Sequence, residues 1–349
     1  MNALKGLRSA FLIPAAILLC FPAPVSWAES IEDTYARTVQ ALNQEGFAGI
    51  DKALASFEEI ARRDPGFVRA RLGASDAYLL KHEFSGKKDR GWLDAAVRHL
   101  DAVVAKDPRN AEALFKRAVI RFSLEQQDAA VLDLRKSMES SPSFLDARIL
   151  HLQHLLATKK TDEAAKFAES SLAVFPNDPA PLKAFGDAFS QAKEFGHALS
   201  FYKRVIPLVP KAPLTHLAIG KAYQNLKQCD PAIDSFKKAL AQNPDLVESH
   251  FGLAYCFGEK GLLNNAVGHL EAYSRKVPKD VSALNNLAIL YEQTGQNQKA
   301  RLAWLRVKQA TEDTIYRERA DRHLHKLLSA EKEAPASPRA KGKNDEKSK

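Results

Sequence analysis

The amino-acid sequence predicts an all-α chain of stacked helical hairpins, and three observations predict it. Prolines recur every 34 residues at Pro108, Pro142, Pro176, Pro210, Pro244 and Pro278. Alanines recur at the same spacing at Ala130, Ala164, Ala198, Ala232, Ala266 and Ala300. Between the two ladders, apolar residues fall at helical intervals, so that each unit carries two amphipathic helices. A single hairpin cannot bury both apolar faces, so the units have to stack. The repeat overrides the length of 349 residues, which alone would suggest two or three globular domains.

Taken from the N-terminus, residues 1–28 read as a secretory signal peptide. Lys5 and Arg8 are the basic end, Ala10 to Phe21 the apolar stretch, and Ser26-Trp27-Ala28 the small-x-small cleavage site. The mature chain is then expected to begin at Glu29, in the periplasm or cell envelope. Cys20 follows Leu19 where a lipoprotein would carry a small residue, which disfavours lipidation. An uncleaved segment would be an N-terminal membrane anchor, despite Pro14, Pro22 and Pro24.

With the alanine as position 20 and the proline as position 32, the units are 34–67, 68–110, 111–144, 145–178, 179–212, 213–246, 247–280 and 281–314. The first has a weak first helix, with Gln44 where the sixth unit has Tyr223 and the eighth Tyr291, but Ala53, Phe57, Ile60 and Pro65 carry its second. The second holds nine extra residues between Ser75 and Ala96, expected in its hairpin turn with Lys87, Lys88, Arg90 and Trp92. The fourth exchanges volumes, with Leu152 where the sixth unit has Gly220 and Ala168 where it has Phe236. Gly261 and Gly295 suit the hairpin turns of the last two units. Residues 315–330 continue as a capping helix with Ala320, Leu324, Leu327 and Leu328 on one side, and 331–349 lack large apolar side chains and are expected to be disordered.

The pattern resembles the tetratricopeptide-repeat (TPR) family: a large residue at position 4, apolar at 7, small at 8, aromatic at 11, then alanine, an aromatic at 24, a small residue at 27 and proline. Unit six supplies His216, Ile219, Gly220, Tyr223, Ala232, Phe236, Ala239 and Pro244, and unit eight Leu284, Leu287, Ala288, Tyr291, Ala300, Trp304 and Val307. The resemblance implies a right-handed superhelical solenoid of about eight hairpins whose first helices line a concave groove that holds peptide segments.

The groove positions the family uses, carried onto this chain, are Phe115, Lys116, Val119, Phe122, Ile149 and Gln153, then Lys183, Asp187, Lys221, Gln224 and Asn225, and finally Phe251, Tyr255, Asn285 and Asn286. The first set is largely apolar, the later ones suited to hydrogen-bonding a peptide backbone. Some TPR co-chaperones clamp a C-terminal carboxylate with Lys and Asn at fixed positions; Asp187 and Ala218 stand there instead, so that binding mode is not expected.

Removing the signal takes the net charge from +9 to +7, and the basic residues are diffuse, which excludes a phosphate-tracking surface and with it nucleic acid. No nucleophile motif, phosphate loop or dinucleotide fingerprint is present, so no enzyme and no cofactor is expected. His151 with His154, and His323 with His325, lack the further ligands of a metal site, and none is expected. Cleavage leaves Cys229 and Cys256, whose register permits a disulfide; the alternative is two buried thiols. The function expected is a non-catalytic scaffold or adaptor for other proteins in the assembly or export of an envelope complex. The alternative is a polysaccharide-binding or polysaccharide-export accessory, with Phe251 and Tyr255 stacking on a glycan.

Overall fold

In the computed structural model, residues 30–86 and 89–333 are described, and they are helical with short turns and no strand. The expected signal segment, Lys87, Lys88 and all but the first three residues of the expected tail lie outside them. The chain divides after Glu194 into two compact units.

The first unit contains α1 (Ile31–Glu45), α2 (Ile50–Arg63), α3 (Val68–Phe84), α4 (Arg90–Lys106), α5 (Ala111–Ser123), α6 (Gln127–Ser140), α7 (Leu145–Ala157), α8 (Thr161–Ser171) and α9 (Pro179–Gln191). The starts are written in the sequence. The side chains of Ser30, Asp89, Asn110 and Asp178 each accept an amide hydrogen bond from the first turn, and Pro179 opens α9, where its missing N–H costs nothing. The ends are equally local. Asp64, Asp107 and Ser141 close α2, α4 and α6, and the residue after each is Pro65, Pro108 or Pro142, which cannot extend the helix.

The hairpin turns share one geometry. Glu125, Lys159 and Lys193 have φ near +60°, with values of 63°, 60° and 65°. The next residue in each case, Gln126, Lys160 or Glu194, donates its N–H back to Arg121, Leu155 or Phe189, the six-to-one bond of a Schellman ending. The extra residues of the second hairpin do not form a long turn. Both α3 and α4 have 17 residues where α5 has 13, so most of the insertion lengthens the helices, with Asp89 capping the second. Trp92 packs on its own hairpin, its ring 5.0 Å from Lys81 Nζ. The exchanged pair Leu152 and Ala168 is fully buried, so the swap conserves volume.

The second unit contains α10 (Phe195–Val205), α11 (Pro213–Asn225), α12 (Cys229–Gln242), α13 (Val247–Glu259), α14 (Leu263–Lys276), α15 (Val281–Gln293), α16 (Asn297–Ala310) and α17 (Thr314–Glu333). Its turns repeat the positive φ at Lys227, Gly261 and Gly295, with values of 58°, 71° and 71°. Ala198, Ala232, Ala266 and Ala300 are fully buried, as are Ala130 and Ala164 in the first unit. Phe236 is held between two glycines: a β-carbon on Gly220 would lie 2.6 Å from its ring, and one on Gly252 only 2.3 Å. Only residues without a side chain leave room for an aromatic there, and this lets α11, α12 and α13 approach closely. The last helix, α17, buries Ala320 and Leu327 against α15 and α16, whereas Leu328 faces solvent. No described helix is long and apolar enough to cross a membrane.

Candidate interaction site

The first helices of the hairpins carry the residues expected to meet a ligand, and the two units treat them differently. In the first unit most are already committed. Phe115 and Val119 are core residues, 5% and 2% exposed, and Phe115 packs edge-on against Phe144 at 5.1 Å. They therefore do not offer an apolar groove surface; their neighbours on α5 and α7 take that burial instead. Lys116 is bound by both carboxylate oxygens of Asp76 at 2.8 Å, and Phe122 lies 5.0 Å from the His154 ring. Ile149 is half-buried, and the side-chain oxygen of Gln153 is buried with no hydrogen-bond partner. On α9, Lys183 and Asp187 pair with each other at 2.6 Å, exposed enough to exchange for a ligand.

Behind these lies an ionic cluster the apolar periodicity gave no hint of. Asp133 on α6, 2% exposed at its side chain, accepts two bonds from Arg117, at 2.8 and 2.6 Å, and one from Arg121 at 2.6 Å. Arg117 also reaches Asp101 on α4 at 2.8 Å. Sequence could have flagged it only through a charged residue on the buried face of α6. Burial pushes the Asp76 carboxyl above its ordinary range, while Lys116 pulls it down.

The second unit leaves more of its first-helix surface open. Lys221, Asn225 and Asn286 are exposed, Gln224 and Phe251 half-buried, and Tyr255 is 40% exposed. Asn225 donates to the Lys221 carbonyl at 2.8 Å, and Phe251 packs on Tyr273 at 5.2 Å. Asn285 is buried. Its oxygen accepts from Arg319 of α17 at 3.2 Å and its amide donates to Asn286, so the terminal helix occupies that end of the first-helix surface.

Two crevices of about 390 Å³ lie away from those residues, one in each unit, each formed by the second helix of one hairpin and both helices of the next. In the first unit His151 and His154 line it with Asp128, Arg135, Lys160 and Glu163. Burial, with like charge from His154, lowers the His151 pKa to about 4, and its Nδ1 is buried without a partner. In the second unit the lining includes Arg275, Arg306, Glu271 and Tyr291, and Glu271 accepts from the Tyr291 hydroxyl at 2.7 Å and from Lys299 at 3.1 Å. Of the other histidine pair, His323 bonds Glu292 at 2.8 Å and stacks on Trp304, which fixes α17 to α15 and α16. His250 and His269, a contact the sequence did not suggest, share a hydrogen bond between their Nδ1 atoms at 3.0 Å. Among the described residues no three His, Cys, Asp or Glu side chains are placed to hold a metal ion. Cys229 and Cys256 carry free thiols.

Residues 87–143, 217–273 and 258–313 match the tetratricopeptide-repeat model, so each compact unit contains residues that match it. A bovine protein, DnaJ homolog subfamily C member 3 of Bos taurus, is 32% identical over 121 residues. That stretch is 29% of this chain and 24% of the bovine protein, so the chain matches about a quarter of its relative's length. The crystal structure of yeast Tom70 superposes with a TM-score of 0.52 at 13% identity, covering 94% of this chain and 70% of that one. The likeness is one of fold: all-α, of the TPR solenoid type.

Proposed function

We propose that this chain, three stretches of which match the tetratricopeptide-repeat model, is a non-catalytic scaffold that holds peptide segments of other proteins, and that its contact surface centres on the first helices of the second unit. The observation that carries this reading is the contrast between the units. In the first, Phe115, Lys116 and Val119 are spent on internal packing and ion pairing. In the second, Tyr255 is open, one helical turn from the half-buried Phe251 on α13, and Lys221 and Asn225 on α11 and Asn286 on α15 are exposed as well. An aromatic anchor beside amide side chains suits an extended or helical peptide: the ring supplies apolar area, and the amides pair with backbone groups. The apolar signal-like segment at residues 1–28 supports a place in the cell envelope, where such a scaffold would serve the assembly or export of a complex.

The test is site-specific photo-crosslinking in intact cells from residue 255 or 286, beside residue 302, an exposed leucine on a second helix. Discrete protein adducts from 255 and 286 and none from 302 are expected. Adducts of equal yield at all three positions, or none at any, would remove the peptide-binding reading. In the latter case, retention on immobilised envelope polysaccharide that falls in Tyr255→Ala would put a glycan ligand in its place. Cell fractionation with N-terminal sequencing checks the location, with Glu29 as the expected first residue.

A further inference from the structure

The two cysteines of the second unit are 27th neighbours at most loosely linked in the chain, yet the fold brings them together. Cys229 is the first residue of α12 and Cys256 lies in α13, so they sit on the second helix of one hairpin and the first helix of the next. Both belong to one apolar cluster with Phe236, Leu253 and Phe257. A separate contact fixes the same helix ends against each other: Lys260, which closes α13, pairs with Asp230, the second residue of α12. The accessibilities differ, Cys229 being half-buried and Cys256 fully buried.

From this placement we propose that Cys229 and Cys256 are an oxidation site, at which a disulfide-bearing oxidant converts two thiols into a staple between adjacent repeats. The proposal is independent of what the first-helix surface binds. The Cys229 thiol loses its proton and its sulfur attacks one sulfur of the donor disulfide, releasing one donor thiol and leaving a mixed disulfide. Cys256 then loses its proton and attacks the Cys229 sulfur, releasing the second donor thiol. Two electrons pass from the cysteine pair to the donor, whose disulfide is reduced to two thiols. The order follows from access: the donor reaches Cys229, and only the Cys229 sulfur reaches Cys256. Burial, with the neighbouring Cys229 thiol, raises the Cys256 pKa, so its thiolate is scarce and Cys256 does not open the exchange. Glu259 and Asp230 oppose the Cys256 thiolate further. The staple would fix α13, which carries Phe251 and Tyr255, to the repeat before it.

The experiment treats the full chain carrying Cys20→Ser with oxidised glutathione, then blocks remaining thiols under denaturing conditions. The expected product has lost the mass of two hydrogens, yields one peptide linking Cys229 to Cys256, and melts several degrees higher, a shift that dithiothreitol reverses. Cys256→Ser should stop at a glutathione adduct on Cys229, and Cys229→Ser should not react. Circular dichroism of both variants, with Cys256→Ala as a second replacement, establishes that they are folded. A lasting glutathione adduct on Cys229 in the parent chain, two unmodified thiols, or adduct formation on Cys256 in Cys229→Ser overturns the proposal.

Discussion

Adding a single methyl group at Gly252 tests whether close approach of α12 and α13 holds the second unit together. The new β-carbon would lie 2.3, 2.5 and 2.8 Å from ring carbons of Phe236. Phe236 is fully buried and has no room to retreat, because Gly220 lies so close to the other part of its ring that a β-carbon there would also sit at 2.6 Å. Overpacking of this kind costs about 1–3 kcal/mol. Against it stands the helix preference for alanine over glycine, about 0.5–1 kcal/mol. The steric effect is the larger, so Gly252→Ala should lose about 1–2 kcal/mol net. Gly268, inside α14, is the internal control. A β-carbon there meets nothing within 4 Å, so Gly268→Ala should gain about 0.5–1 kcal/mol. Urea unfolding followed by circular dichroism measures both, and Phe236→Leu in the Gly252→Ala background should recover part of the loss through a favourable coupling. If Gly252→Ala is as stable as Gly268→Ala, the glycine–aromatic contact does not set the spacing of these helices.

Removing the shared carboxylate by Asp133→Ala should cost about 3–5 kcal/mol, since Arg117 and Arg121 lose a buried partner, while replacing all three by apolar residues should restore much of it; chemical denaturation of the two variants checks the pair. His151 has a folded-state pKa of about 4 against about 6.5 unfolded, so the unfolded chain takes up the proton first and stability should fall as pH drops from about 6.5 to 4. The loss should approach about 3 kcal/mol, and a His151→Leu variant whose urea midpoint keeps the same pH dependence would refute the assignment. Lys227 holds φ at 58° where glycine has no penalty, so Lys227→Gly should stabilise by up to about 1 kcal/mol and Gly261→Ala should destabilise by a similar amount, both read as shifts in melting temperature.

What the sequence made legible and what it hid follow from the range of the interactions involved. Pro108, Pro142, Pro244 and Pro278 act within one turn of their own helices, and the alanine ladder reports a requirement repeated in every hairpin, so both can be read from spacing alone. The positive φ was visible at Gly261 and Gly295 and invisible at Glu125, Lys159, Lys193 and Lys227, because there the Schellman hydrogen bonds impose it on residues that do not prefer it. The same limit applied to the long second hairpin: counting residues located the insertion, but only the cap at Asp89 and the continued packing of Leu79 and Leu93 decided that it would extend helices. Groove positions were the least legible. Position within a repeat says which way a side chain starts, while its fate depends on a partner from another repeat: Asp76 for Lys116, Phe144 for Phe115, Arg319 for Asn285. Each partner lies roughly one repeat away in sequence and belongs to no repeating pattern. The surface that remains after those partners are counted is smaller than the family positions suggest, and it is concentrated on α11, α13 and α15. An interaction partner should therefore respond far more to changes at Tyr255 and Asn286 than at Phe115 or Val119, whose replacement would first unsettle the core.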